Sequence, residues 1–90
     1  MKLAADISLY PLTESFIPHI DAIIARFECY PDLEVRRNDL STQLFGEYDA
    51  VMKCLHVEMA RTFREQKAVL VAKFVCTDPG TDAEGQSRHA

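Results

Sequence analysis

Leu3, Ala5, Ile7 and Leu9 alternate with Ala4, Asp6, Ser8 and Tyr10 over residues 2–10. This period of two predicts a strand with one buried face. Pro11 ends it, having no N–H to give to a ladder. A helical period then takes over. Ile17, Ile20, Ile24 and Phe27, widened by Phe16 and Ile23, form one apolar stripe. Thr13 or Ser15 can cap this helix, and Pro18 falls early enough that its missing N–H costs little. Tyr30-Pro31-Asp32 closes the element, because a residue before proline is pushed out of helical geometry.

Two short segments follow, Leu33 to Arg37 and Leu40 to Phe45, around Asn38-Asp39. Both turn residues tolerate left-handed backbone angles, so the spacing predicts a two-residue hairpin. In that register Arg37 faces Leu40, Val35 faces Thr42 and Leu33 faces Leu44. Gly46 is expected to break the strand and open a second helix of roughly 18 residues. Glu47 and Asp49 in its first turn and Arg61 and Arg64 in its last suit the helix dipole. Met52, Leu55, Met59 and Phe63 make its predicted buried stripe, with Asp49–Lys53 and Arg61–Glu65 as exposed pairs. Ala68 to Ala72 reads as a last strand ending near Cys76.

The order strand, helix, strand, strand, helix, strand predicts an α+β fold. Right-handed crossovers turn it into a ferredoxin-like βαββαβ sandwich: a four-stranded antiparallel sheet with two helices on one face. Residues 1–76 form this domain. From Thr77 on the chain is polar, and 77–90 are expected to be a mobile tail.

Charge and composition narrow the function. With a net charge of −4, the chain lacks the basic excess that nucleic acids or anionic membranes require, so neither is an expected partner. No apolar run approaches the ~18–20 residues that span a bilayer, and Asp6 interrupts the only candidate secretory signal. Cys29, Cys54 and Cys76 are odd in number and widely spaced, which predicts reduced packing thiols and a cytoplasmic setting. His19 and His56 lack metal-ligand partners at suitable spacing, and His89 falls in the tail. Only three glycines are present, and none forms a phosphate loop. No cysteine has an evident activating base. Neither catalysis nor a metal or cofactor is expected.

One sheet face remains open in this topology. The first strand offers it Asp6, Ser8 and Tyr10, and the hairpin offers Glu34, Arg36, Ser41, Gln43 and Phe45. The first and third strands are central neighbours, so Asp6, Ser8, Ser41 and Gln43 fall within one site's reach. Gln43 could read a polar heterocycle by accepting from an exocyclic amine while donating to a ring nitrogen. Asp6 or Glu34 could balance a cation, and Tyr10 or Phe45 could supply a ring face. The same residues would serve equally as a solvated face, and chemistry alone leaves these readings open.

Three stretches carry a resemblance: Ile7-Ser8-Leu9-Tyr10-Pro11-Leu12, the run Leu40 to Met52 with Ser41-Thr42-Gln43-Leu44-Phe45-Gly46-Glu47-Tyr48, and Lys67-Ala68-Val69-Leu70-Val71. They resemble the YkoF-like family of thiamine- and hydroxymethylpyrimidine-binding proteins, across nearly all of residues 2–75. The resemblance implies a non-catalytic binder of thiamine or its hydroxymethylpyrimidine precursor. The family's namesake has two such domains in tandem, so a single domain implies a homodimer or homotetramer. By motif position the resemblance points to Ser8, Tyr10, Ser41, Thr42 and Gln43, to which the face assignment adds Asp6 and Arg36. Thr42 stands apart, because the alternation turns it toward the helices. The alternative reading is a structural or regulatory ferredoxin-like oligomer with no thiamine-related ligand.

Overall fold

The computed structural model describes residues 1–78. Six elements follow in the expected order: β1 (Lys2–Pro11), α1 (Phe16–Phe27), β2 (Glu34–Arg37), β3 (Thr42–Glu47), α2 (Tyr48–Glu65) and β4 (Ala68–Asp78). The strands form one antiparallel sheet in the order β2-β3-β1-β4, so β1 and β3 are the central pair. The fold is the ferredoxin-like α+β sandwich. Leu3, Ala5, Ile7 and Leu9 are buried as their alternation predicts, packed with Ile23, Ile24 and Phe27 of α1 and Val51, Cys54 and Leu55 of α2.

The hairpin differs from expectation by one turn position. Val35 pairs with Leu44 and Arg37 with Thr42, and the Asn38 N–H donates to the Ser41 carbonyl at 3.0 Å. The two turn residues are therefore Asp39 and Leu40. The cause is Asn38, whose side-chain oxygen accepts the backbone N–H groups of Leu40 (2.8 Å) and Ser41 (3.0 Å). An Asn that binds the chain ahead of it occupies the first corner of a turn. The register moves by two residues, so every side chain keeps its face. Leu40, assigned to a strand by its apolarity, sits at the tip and is 89% exposed.

Gly46 also departs from its assigned role. It lies inside β3, opposite Leu3, and α2 begins two residues later. A Cβ at this position would meet Leu33 Cδ2 at 2.6 Å and the Asp32 carbonyl at 3.1 Å. The close approach of the segment leading into β2 requires glycine here, not a break in the strand. At the other boundaries Pro11 pairs with Ala68 as the last residue of β1, where a missing N–H is tolerated. β4 runs two residues beyond Cys76, so Thr77 and Asp78 belong to the sheet. The rest of the expected tail, 79–90, lies outside the described residues.

α1 buries the expected Ile23, Ile24 and Phe27, with Ile20 packed against them, and departs only at its front turn, whereas α2 buries a different stripe from the one its apolar positions suggest. In α1 the front turn overhangs the sheet, leaving Phe16 48% and Ile17 59% exposed. In α2 the inward residues are Val51, Cys54, Leu55, Glu58 and Thr62, while Met52 and Phe63 face outward. Glu58 and Thr62 can be inside because α1 satisfies them. Arg26 donates from Nε to Glu58 at 2.7 Å and from Nη2 to Thr62 Oγ1 at 3.0 Å, and the Tyr30 hydroxyl donates to Glu58 at 2.7 Å. The expected Asp49–Lys53 and Arg61–Glu65 pairs do not form among the described residues, whose ion pairs involve other partners. No disulfide forms. Cys54 is a packing thiol as expected, but Cys29 and Cys76 are exposed.

Candidate functional site

The β1–β3 register sets Asp6 opposite Gln43, β2 sets Arg36 beside Gln43, and β4 sets Lys73 beside Asp6. A polar row thus crosses all four strands on the open face. At its centre the Ser41 hydroxyl donates to Asp6 Oδ1 at 2.5 Å, and Gln43 Nε2 donates to the same oxygen at 2.8 Å. Gln43 Nε2 also donates to Ser41 Oγ at 2.8 Å. These two hydrogen bonds hold the Asp6 carboxyl below its ordinary range, with the Lys73 charge a smaller contribution in the same direction. The expected convergence of Asp6, Ser41 and Gln43 is present.

The Gln43 amide nitrogen already donates to Asp6 and to Ser41, so a ligand's ring nitrogen would compete with these internal bonds. Arg36 is likewise occupied. Its guanidinium lies 4.7 Å from the centroid of the Phe45 ring and pairs with Glu34. The hollow on this face, bordered by Ala4, Asp6, Gln43, Phe45, Lys73 and Val75, holds only about 260 Å³.

A larger cleft opens on the opposite side of the sheet, between α1 and the β2–β3 turn. It encloses about 500 Å³. Ile7, Leu9 and Pro11 of β1 form its floor, and Phe16, Ile20, Ile23, Ile24 and Phe27 of α1 form an apolar wall. The facing wall is polar, with Arg37, Asn38, Asp39, Ser41 and Thr42. Thr42 is 6% exposed and lies on the helix side of β3, as the alternation requires. Ser8 and Tyr10 also border this cleft. The nominated residues therefore divide. Ser8, Tyr10, Ser41 and Thr42 belong to the cleft, Asp6 and Gln43 to the shallow face, and Arg36 borders neither hollow. Ser41 belongs to the cleft and is also bonded to Asp6.

Sequence reasoning overlooked Phe16, Ile20, Arg37 and Asp39 as cleft residues. The available signal was the length of the α1 stripe. Apolar positions from 16 to 27 exceed what the sheet beneath can cover, so the leading turn must overhang something else.

Among the described residues no group of three or more His, Cys, Asp or Glu side chains is arranged to hold a metal ion. No described helix is long and apolar enough to cross a membrane. Burial, with the nearby Glu58 charge as a lesser cause, pushes the Cys54 thiol up to about 12, well out of the nucleophilic range.

Fold and cleft together define a ferredoxin-like α+β domain with a mostly apolar hollow between helix and hairpin, polar along its hairpin side except at Leu40. No protein-family model and no curated protein matches the sequence. Solved structures do match the fold. A protein from Streptococcus pneumoniae is 22% identical, with a TM-score of 0.78 over 87% of this chain and 89% of that one. A hypothetical protein from Methanocaldococcus jannaschii is 26% identical, with a TM-score of 0.72 over 94% and 87% of the two chains. A candidate thiamine biosynthesis/salvage protein from Thermotoga maritima is 17% identical, with a TM-score of 0.74 over 97% and 90%.

Proposed function

We propose that this protein binds a small heterocyclic ligand without transforming it, and that the ligand is thiamine or its hydroxymethylpyrimidine precursor. The observation that carries the reading is the cleft between α1 and the β2–β3 turn. Its volume of about 500 Å³ falls within the range of roughly 300–1,000 Å³ typical of small-molecule sites. One apolar wall accepts a ring, while on the facing wall the Thr42 hydroxyl can donate and accept and the Ser41 hydroxyl, which gives its proton to Asp6, can accept. The YkoF-like motifs and the fold shared with the Thermotoga maritima protein support the same ligand class.

This reading moves the site from the open face to the helix side and retains four of the seven nominated residues. Calorimetry with thiamine and with hydroxymethylpyrimidine tests it, using wild type and Thr42→Val. Binding by the wild type that weakens about 5- to 10-fold in Thr42→Val is expected, the effect of losing one hydrogen bond of about 1 kcal/mol. No binding of either compound would leave the second reading.

That second reading is a homo-oligomer of structural or regulatory role. It rests on β4, which has β1 on one side and no strand on the other among the described residues, and which leaves Val69, Val71 and Val75 about half exposed. An open apolar edge of this kind invites pairing with a second copy. The two readings are compatible, and a homodimer or homotetramer is part of the proposal.

A further inference from the structure

We infer that the cleft selects its ligand by charge, taking neutral or cationic heterocycles and rejecting phosphate esters, because Arg37, the one cation lining it among the described residues, is paired with an aspartate of the opposite wall. The inference rests on the cleft being the ligand site. Among the described residues two charged side chains line it, Arg37 and Asp39, both on the hairpin. Arg37 already has an anionic partner. Its Nη2 reaches the opposing helix and pairs with Asp21 Oδ1 at 2.8 Å, next to the wall residue Ile20.

The mouth therefore holds one guanidinium against two carboxylates, Asp21 and Asp39, and Asp39 has no ion-pair partner among the described residues. No lysine lines the cleft among the described residues. An entering phosphate would have to displace Asp21 from Arg37 while remaining beside both carboxylates, and like charges at close range repel. A positively charged ring meets the opposite balance. The N-terminus of α1 borders the cleft at Phe16, but its partial charge of about +0.5 offsets only part of the repulsion from two carboxylates. The pair also ties the two walls together, so it sets the entrance width and the entrance charge at once.

The test compares hydroxymethylpyrimidine with its phosphate ester by calorimetry, on wild type, Asp21→Asn and Asp39→Asn. Thermal unfolding serves as a check that each variant is folded. Both carboxylates are exposed, so neither substitution should disturb the core. In the wild type the phosphate ester should bind at least about tenfold more weakly than the alcohol. Asp21→Asn releases Arg37 and should close most of that gap by strengthening ester binding about 5- to 10-fold, while Asp39→Asn should narrow it less. Tight binding of the alcohol with equal or tighter binding of the ester would overturn charge selection and leave the binding function standing. An ester penalty unchanged in Asp21→Asn would show that the Arg37–Asp21 pair is not its cause. If neither compound binds, both the inference and the reading beneath it fall.

Discussion

Arg26 on α1 and Glu58 on α2 form a nearly dry ion pair, Nε to Oε1 at 2.7 Å, with side-chain exposures of 18% and 6%. Glu58 also accepts from the Tyr30 hydroxyl, and Arg26 donates to Thr62, so each charge is bonded more than once. The network fastens the end of α1 and the segment after it to the middle of α2. The cleft wall formed by α1 depends on that fastening.

Breaking this pair from one side should be costly. Glu58→Ala strands the Arg26 guanidinium and the Tyr30 hydroxyl, a loss on the order of 3–5 kcal/mol. In a domain of this size that lowers the thermal midpoint by more than ~10 °C. Replacing both partners together, Arg26→Leu with Glu58→Leu, should recover much of the loss, since an apolar pair carries no desolvation cost. Circular dichroism melts of the three proteins measure both effects. An unchanged midpoint in Glu58→Ala would contradict the bonded geometry.

Alkaline pH should destabilise the fold. Burial and the hydrogen bond to Glu58 push the Tyr30 phenol from 10 to about 12, and burial pushes the Cys54 thiol from 9 to about 12. The fold favours both protonated forms. Their stabilising contribution is complete below the unfolded-chain values and is lost as pH rises through 9 and 10 toward 12. Urea midpoints should be level near pH 8 and lower at pH 10.5, with a shallower decline in Tyr30→Phe. At pH 8, iodoacetamide should modify Cys29 and Cys76 and spare Cys54 until the chain is unfolded.

Gln43 and Thr42, adjacent in β3 and on opposite faces, separate the two possible sites. Gln43→Leu removes two internal hydrogen bonds from the Asp6 cluster and should cost about 1 kcal/mol of stability while leaving thiamine affinity unchanged. Thr42→Val should do the reverse. Calorimetry and thermal shift on both variants check the pair, and a large affinity loss confined to Gln43→Leu would return the site to the open face.

A solution mass above the 10.2 kDa of one chain is expected at micromolar concentration. Light scattering measures it directly. Lysines introduced at Val69 and Val71 should shift the population to monomer, because charges on an edge strand oppose pairing. A monomeric wild type would remove the oligomer from the proposal.

Element order and strand faces were legible in the sequence because they follow from local periods. Leu3, Ala5, Ile7 and Leu9 must face one way whatever they pack against, and a two-residue slip in the hairpin left Thr42 and Gln43 on their assigned sides. The Asp6–Ser41–Gln43 cluster was legible for the same reason, since register alone brings those positions together. One feature was set by a local bond that hydrophobic periodicity does not record, and two were decided only by tertiary packing. The turn moved because a single Asn38 side chain bonded the backbone ahead of it. Glu58 and Thr62 lie outside the apolar stripe of α2, and their burial depends on Arg26 of α1 and, for Glu58, on Tyr30 in the segment after it. The cleft exists because the front of α1, at Phe16, overhangs the sheet toward the distant Asp39–Leu40 turn. Periodicity records what a residue prefers to face, whereas a cavity between distant elements depends on how far apart their backbones come to rest.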